Sequence, residues 1–242
     1  MKKVYHLLIT IIAAIKTLPA LKQIKKMANE SPKIKKEIVL RTTKRFGEEV
    51  INNLNVKLII EGIENCSTTK TALFVSNHQS AYDIPLLLKV IPKQVGFVAK
   101  KELTKVPIVN QWITQMNGVY LDRKNRRQSL QAIKEGVVKL KEGHSLVIFP
   151  EGTRSNSNQM KGFKIGSLTL AAKANVPIIP IAIEGTYNIG VEKTPDVSVT
   201  FFEPIYLKEK EDQNKVSQNI EKKIKDDITI RKEYVKTIAK MR

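Results

Sequence analysis

From Asn55 onward the chain repeats one pattern, a short apolar run followed by a stretch of helical periodicity. Val56 to Ile60, Thr71 to Val75, Val95 to Ala99, Val119 to Leu121, Ser145 to Phe149, Ile178 to Ile183 and Val197 to Phe202 read as strands. Helices fit over Ile84 to Val90, Ile108 to Met116, Arg126 to Lys141 and Ile165 to Ala174. Neighbouring parallel strands must be joined by a crossover, usually a helix. The alternation therefore predicts an α/β fold with a largely parallel central sheet flanked by helices. In such sheets ligands gather at the carboxyl ends of strands, so residues there are the first candidates for function.

The segment before this alternation is different. Met1-Lys2-Lys3 precedes an apolar run, Val4 to Ile15, broken only by His6 and Thr10. The run has about 12 residues, short of the roughly 20 that a bilayer-spanning helix needs. Lys22, Lys25, Lys26, Lys33, Lys35 and Lys36 follow closely. An apolar helix with a Lys-rich flank suits a segment lying in one leaflet against anionic headgroups. A cleaved signal, or a helix packed on the domain, has the same composition. Pro32 separates this stretch from a second helical one, Ile34 to Asn53. Residues 1–54 thus read as an N-terminal two-helix membrane-association motif, and 55–242 as the main domain. At its end Val216, Ile220, Ile224 and Ile228 line one face of a helix that begins near Gln213 and docks on the domain or on a membrane surface.

Composition narrows the chemistry. Forty-two Lys and Arg against 23 Asp and Glu give a formal charge of +19, a surface that attracts anionic lipid, phosphorylated substrates or nucleic acid. A single cysteine, Cys66, excludes an internal disulfide framework and multi-cysteine metal sites. Three histidines leave little material for a histidine metal cluster.

Four groups of polar residues fall at predicted strand ends. Ser76-Asn77-His78-Gln79-Ser80-Ala81-Tyr82-Asp83 follows the strand ending at Val75. A turn there lets the Asp83 carboxylate, at a helix start, reach one imidazole nitrogen of His78 and leave the other free to take a proton. The same residues also make a helix cap beside a surface histidine. No G-x-S-x-G, H-E-x-x-H, P-loop or G-x-G-x-x-G pattern accompanies them, so a His–Asp pair would activate a hydroxyl belonging to the substrate. Phe149-Pro150-Glu151-Gly152-Thr153-Arg154-Ser155 combines a tight glycine turn with an Arg suited to phosphate, and Lys161 and Lys164 follow; an ordinary polar turn has the same make-up. Lys100, with Lys101 beside it, and Arg123 end two further runs. Together Lys100, Arg123 and Arg154 make a candidate phosphate pocket beside His78. Val176 to Gly185, mostly apolar with paired prolines, suits an acyl groove or a buried strand at an edge or end of the sheet.

In this order and spacing the motifs resemble the glycerolipid acyltransferases with a His-x4-Asp motif, in particular those acting on 1-acylglycerol 3-phosphate. The His-x4-Asp block is matched by Asn77-His78 through Asp83, the second block by Gly118 to Arg123, the Glu-Gly-Thr-Arg block by Phe149 to Ser155, and the proline-rich block by Val176 to Gly185. The resemblance implies transfer of a fatty acyl group from acyl-CoA or acyl carrier protein to the 2-hydroxyl of lysophosphatidate, giving phosphatidate. It implies His78 as general base and Asp83 as its orienting partner. Lys100 (or Lys101) and Arg154 would bind phosphate, with Arg123 at a neighbouring strand end, and Glu151, Gly152 and Thr153 would shape the acceptor site. It implies no metal or organic cofactor, and a monotopic or peripheral position on the cytoplasmic face of a membrane. Another lysophospholipid or glycerol 3-phosphate is the alternative acceptor. A basic module binding membranes or nucleic acid without catalysis accounts for the charge but not for His78, Asp83 and Arg154 at strand ends. Aromatics at 6% and the lack of a nucleic-acid motif speak against nucleic acid as a partner.

Overall fold

The computed structural model describes residues 2–27, 31–207 and 211–240; Met1, at the head of the basic start, lies outside them. Seven strands form one sheet: β1 (Lys57–Glu61), β2 (Leu73–Ser76), β3 (Val95–Lys100), β4 (Val119–Leu121), β5 (Ser145–Ile148), β6 (Ile178–Glu184) and β7 (Asp196–Phe201). Their order is β1-β7-β6-β2-β5-β3-β4, and every pairing is parallel except β6 with β7. This is the α/β class that the alternation predicts, with one antiparallel pair added. β2 is central and has β6 and β5 as neighbours, so the carboxyl ends of these three strands lie side by side.

Among the described residues eight α-helices flank the sheet: α1 (Lys2–Ile15), α2 (Leu18–Lys26), α3 (Pro32–Asn52), α4 (Asp83–Val90), α5 (Val109–Gln115), α6 (Arg126–Lys141), α7 (Thr169–Ala174) and α8 (Gln213–Lys240). Successive strand residues point to opposite faces. Phe74, Ile179, Ile181 and Ile183 accordingly join the core under α1–α5, whereas Leu73, Val75, Ile178 and Ala182 join the core under α6–α8. All seven residues of β6 are buried, so the proline-bearing segment is a central strand rather than an open groove. Val216, Ile220, Ile224 and Ile228 of α8 are buried in the second core, so its apolar face docks on the domain. α7 starts at Thr169, not near Ile165. Gly166 adopts φ +81° and Ile165 is 86% exposed, so the chain turns before it can enter a helix.

At the N-terminus α1 and α2 are joined through Lys16 and Thr17, and Lys16 pairs with Glu49 near the end of α3. Trp112 Nε1 donates to Thr17 Oγ1 at 2.7 Å, and Ala13, Leu21 and Ile24 are buried. One side of this helical run therefore packs on the domain. The other exposes Val4, Leu7, Leu8, Ile11, Ile12 and Ile15. With α2 continuing α1, the stretch Val4–Lys26 comprises 23 residues and is long and apolar enough to cross a membrane by length and composition. That exceeds the run read from the sequence, because α2, joined to α1 across Lys16 and Thr17, counts with it. Signal sequences and the core helices of soluble proteins share this length and composition.

Candidate active site

The site is built where β2, β5 and β6 end. After Ser76, Asn77 turns inward and locks two strands together. Its side chain donates to the Ile183 carbonyl and accepts from the Ile183 N–H, both at 2.8 Å. The next residue, His78, is thereby held at the rim.

Asp83 begins α4 and is fully buried. Its Oδ2 lies 2.6 Å from His78 Nδ1 and accepts the backbone N–H groups of Gln79 at 2.7 Å and Ser80 at 2.9 Å. Its Oδ1 accepts the Thr186 hydroxyl. A buried carboxylate is tolerated only when hydrogen-bonded, and four donors surround this one. The His78 ring stacks on Phe149, the residue after β5, with centroids 4.1 Å apart and planes at 16°. Nδ1 is committed to Asp83, which leaves Nε2 for proton transfer.

Glu151 ties the loop after β5 to the loop after β2. Its Oε1 accepts the His78 N–H and its Oε2 the Lys161 N–H, each at 2.7 Å. Both oxygens are thus committed to backbone, and Glu151 shapes the site through the chain rather than as an open carboxylate. Burial pushes its carboxyl above the usual range, against the pull of those two hydrogen bonds. Gly152 adopts φ +73°, a conformation a side chain would strain, and a Cβ there would meet the Lys164 ammonium at 2.8 Å. The loop is closed by Ser155 N–H on the His78 carbonyl, 2.8 Å, and Asn156 N–H on the Gln79 carbonyl, 3.0 Å.

Thr153 and Arg154 lie exposed on this loop, next to residues bonded directly to the His78 backbone. The structure therefore brings His78, Asp83, Glu151, Gly152, Thr153 and Arg154 together. Lys100 and Arg123 are farther out, beyond β5, at the carboxyl ends of β3 and β4. Lys100 is 3.0 Å from Glu102, Lys101 bridges Asp122 at 3.1 Å and Gln128 at 2.5 Å, and Arg123 is exposed. They share the rim with His78 without touching it. Cys66 is fully buried and its thiol is pushed up to about 12 by loss of solvent, so it has no part in this chemistry. Among the described residues, no cluster of three or more His, Cys, Asp or Glu is placed to hold a metal.

Residues 57–184, just over half of the chain, match the family model described as Acyltransferase. This chain belongs to the acyltransferase family. It is 37% identical over 157 residues to a chloroplastic 1-acyl-sn-glycerol-3-phosphate acyltransferase of Arabidopsis thaliana, covering 62% of this chain and 44% of that protein. It is 34% identical over 140 residues to a 1-acyl-sn-glycerol-3-phosphate acyltransferase of Saccharomyces cerevisiae, covering 56% and 45%. The chain thus spans about half the length of the curated relatives it matches. The crystal structure of the 1-acyl-sn-glycerophosphate acyltransferase PlsC from Thermotoga maritima superposes with a TM-score of 0.79 at 30% identity, over 96% of this chain and 98% of that one.

Within this member of the acyltransferase family, the site contains residues to which the motifs assign no role. Thr186 follows β6 and is fully buried against Asp83. Glu184 accepts Gln79 Nε2 at 2.6 Å and the Tyr187 hydroxyl at 3.2 Å. Burial raises the Glu184 carboxyl and pushes the Tyr187 hydroxyl up to about 12. The one sequence signal for these residues is their place at the end of a predicted strand.

Proposed function

We propose that this chain transfers a fatty acyl group from an acyl thioester, acyl-CoA or acyl carrier protein, to the 2-hydroxyl of 1-acylglycerol 3-phosphate, giving phosphatidate. The observation that carries this reading is the 2.6 Å contact between His78 Nδ1 and a fully buried Asp83. His78 Nε2 takes the proton of the acceptor hydroxyl as its oxygen attacks the thioester carbonyl. Asp83 keeps the imidazole in the required tautomer and stabilises the imidazolium. The tetrahedral oxyanion collapses, the C–S bond breaks, and the leaving thiolate recovers the proton from His78. The thioester is already activated, so the step needs a base but no nucleophile from the protein. Arg154, Lys100 and Arg123 supply cations along the rim for the acceptor phosphate, and the turn at Gly152 brings the chain close to it.

The names of the relatives support this acceptor. We further propose that residues 1–54 hold the enzyme on a membrane, monotopic or peripheral on the cytoplasmic face, and that 55–242 form the acyltransferase domain. The exposed apolar side of α1 and the +19 charge favour that arrangement.

The test is purified protein assayed with acyl-CoA and acyl carrier protein donors against lysophosphatidate, other lysophospholipids and glycerol 3-phosphate. His78→Ala should lower turnover by about 10²–10⁴-fold with little change in acceptor KM. Acylation of another acceptor in preference would reassign the substrate. No transfer to any acceptor, with His78→Ala like wild type, would defeat the enzyme reading.

A further inference from the structure

We propose that Thr186 is a positioning residue for the base: its hydroxyl fixes Asp83 in the ionised, correctly rotated state that His78 requires. The inference rests on the reading of His78 as general base and goes beyond it, because Thr186 lies outside the four motif blocks.

The direction of each hydrogen bond can be worked out. Glu184 Oε2 lies 2.6 Å from Gln79 Nε2, which assigns the Gln79 amide nitrogen to Glu184 and turns Gln79 Oε1 towards Thr186, 3.4 Å away. Asp83 Oδ2 is occupied by two backbone N–H groups and by His78 Nδ1. The Thr186 hydroxyl has one proton and two acceptors in reach, and it sits much closer to the Asp83 carboxylate than to Gln79. A charged acceptor is the stronger one, so the proton goes to Oδ1.

This contact does something the others cannot. Three donors converge on Oδ2, and the torsion about the carboxylate bond is soft. Thr186 is the described partner of Oδ1, so it sets the rotation of the carboxylate plane and keeps Oδ2 in line with the imidazole. It also stabilises the charged form of a carboxyl that is wholly removed from water.

Removing the donor has a definite consequence. The carboxylate loses its bond at Oδ1 and with it its fixed rotation, so its alignment with the imidazole and its hold on the His78 proton both change. The acid limb of the pair is displaced from its wild-type position. The other titratable groups around the pair are Glu151 from the loop after β5, Glu184 at the end of β6, Tyr187 beside it, Tyr82 at the start of α4, and His6 of α1 edge-on to Tyr82. None of them is changed by substitution at Thr186.

The experiment compares wild type, Thr186→Val, Thr186→Ala and Thr186→Ser. Two measurements are made, the pH dependence of kcat and kcat/KM and an NMR titration of the His78 ring assigned with His78→Ala. Thr186→Val should lower kcat about tenfold or more, leave both KM values within about twofold, and displace the acid limb and the His78 midpoint from their wild-type positions. Thr186→Ser, which keeps the donor, should stay close to wild type in both. Thr186→Ala carries the same expectation with a smaller side chain if the valine does not fold. An unmoved acid limb and His78 midpoint in Thr186→Val or Thr186→Ala would overturn the proposal. So would a serine variant as impaired as the alanine. The NMR titration needs no turnover, so it reads the contact even if the acyl-transfer reading fails.

Discussion

At the scale of the residue, two buried glutamates beside the site have carboxyls shifted in the same direction but should answer differently to one substitution. Burial raises both Glu151 and Glu184 above the ordinary carboxylate range. A raised carboxyl means that the folded state binds more protons than the unfolded one, so stability falls as pH climbs from the ordinary glutamate value through the raised one. Glu184 accepts from Gln79 and Tyr187, and an amide can meet both, its oxygen taking the Gln79 N–H and its nitrogen donating to the Tyr187 oxygen. Glu184→Gln should therefore keep or raise Tm at neutral pH and flatten the decline that sets in above the ordinary glutamate range. Glu151 faces two N–H donors, His78 and Lys161, and an amide can satisfy only one. Glu151→Gln should cost about 1–3 kcal/mol, read as a lower Tm at neutral pH, and should loosen His78 as well. Melting curves of both variants from the ordinary glutamate range to neutral pH check the contrast. The sequence pointed to a role for Glu151 and to none for Glu184, and the reason is physical. His78, Asp83 and Glu151 sit in contiguous polar motifs at strand ends. Glu184 and Thr186 meet Gln79 and Asp83 across more than a hundred residues, with no local pattern to mark the contact.

At the scale of the element, α3 and α4 touch through Gly47. A Cβ placed there would lie 2.4 Å from the Pro85 carbonyl oxygen and 2.7 Å from the Lys89 nitrogen, both backbone atoms that cannot swing away. Intrinsic helix propensity favours Ala over Gly by about 1 kcal/mol. Overpacking against a fixed backbone costs about 1–3 kcal/mol, and here the clash is deep enough for it to win. Gly47→Ala should lower Tm. Because α4 begins at Asp83, it should lower kcat too. A Tm equal to or above wild type would mean that the two helices separate freely. The strands were readable because half or more of each is apolar, and α6 matches its expected limits, Arg126–Lys141, because its periodicity is bounded by Asn125 and Gly143. The Gly47 contact was not readable. Within α3 alone a glycine looks like a weak point, and only the tertiary approach of α4 turns it into a requirement.

At the scale of the whole molecule, the sheet separates two faces, and the exposed apolar surface is concentrated on one of them. α1 packs Ala13 inward and turns Val4, Leu7, Leu8, Ile11, Ile12 and Ile15 outward, while His6 on the same helix lies edge-on to Tyr82. The apolar stripe thus begins next to the loop that carries His78. A lipid acceptor drawn from the bilayer would have a short path to His78. Leu8 and Ile12 are one helical turn apart and each half exposed, so replacing both with Asp removes apolar contact with acyl chains without opening the core. Leu8→Asp/Ile12→Asp should reduce co-sedimentation with vesicles containing anionic lipid at least about tenfold, since burying each such side chain is worth roughly 1.5–3 kcal/mol and a charge in its place is disfavoured. Tm should stay near wild type, and turnover of vesicle-borne lysophosphatidate should fall with binding. Raising the salt should weaken the wild type only in part, because screening removes the attraction of the +19 surface but not the burial of α1. If the double variant binds vesicles as well as wild type but is released by salt, the surface charge alone holds the protein to the bilayer. α1 would then be a helix of the fold with an exposed apolar side, and the path from bilayer to His78 would have to run elsewhere along the rim.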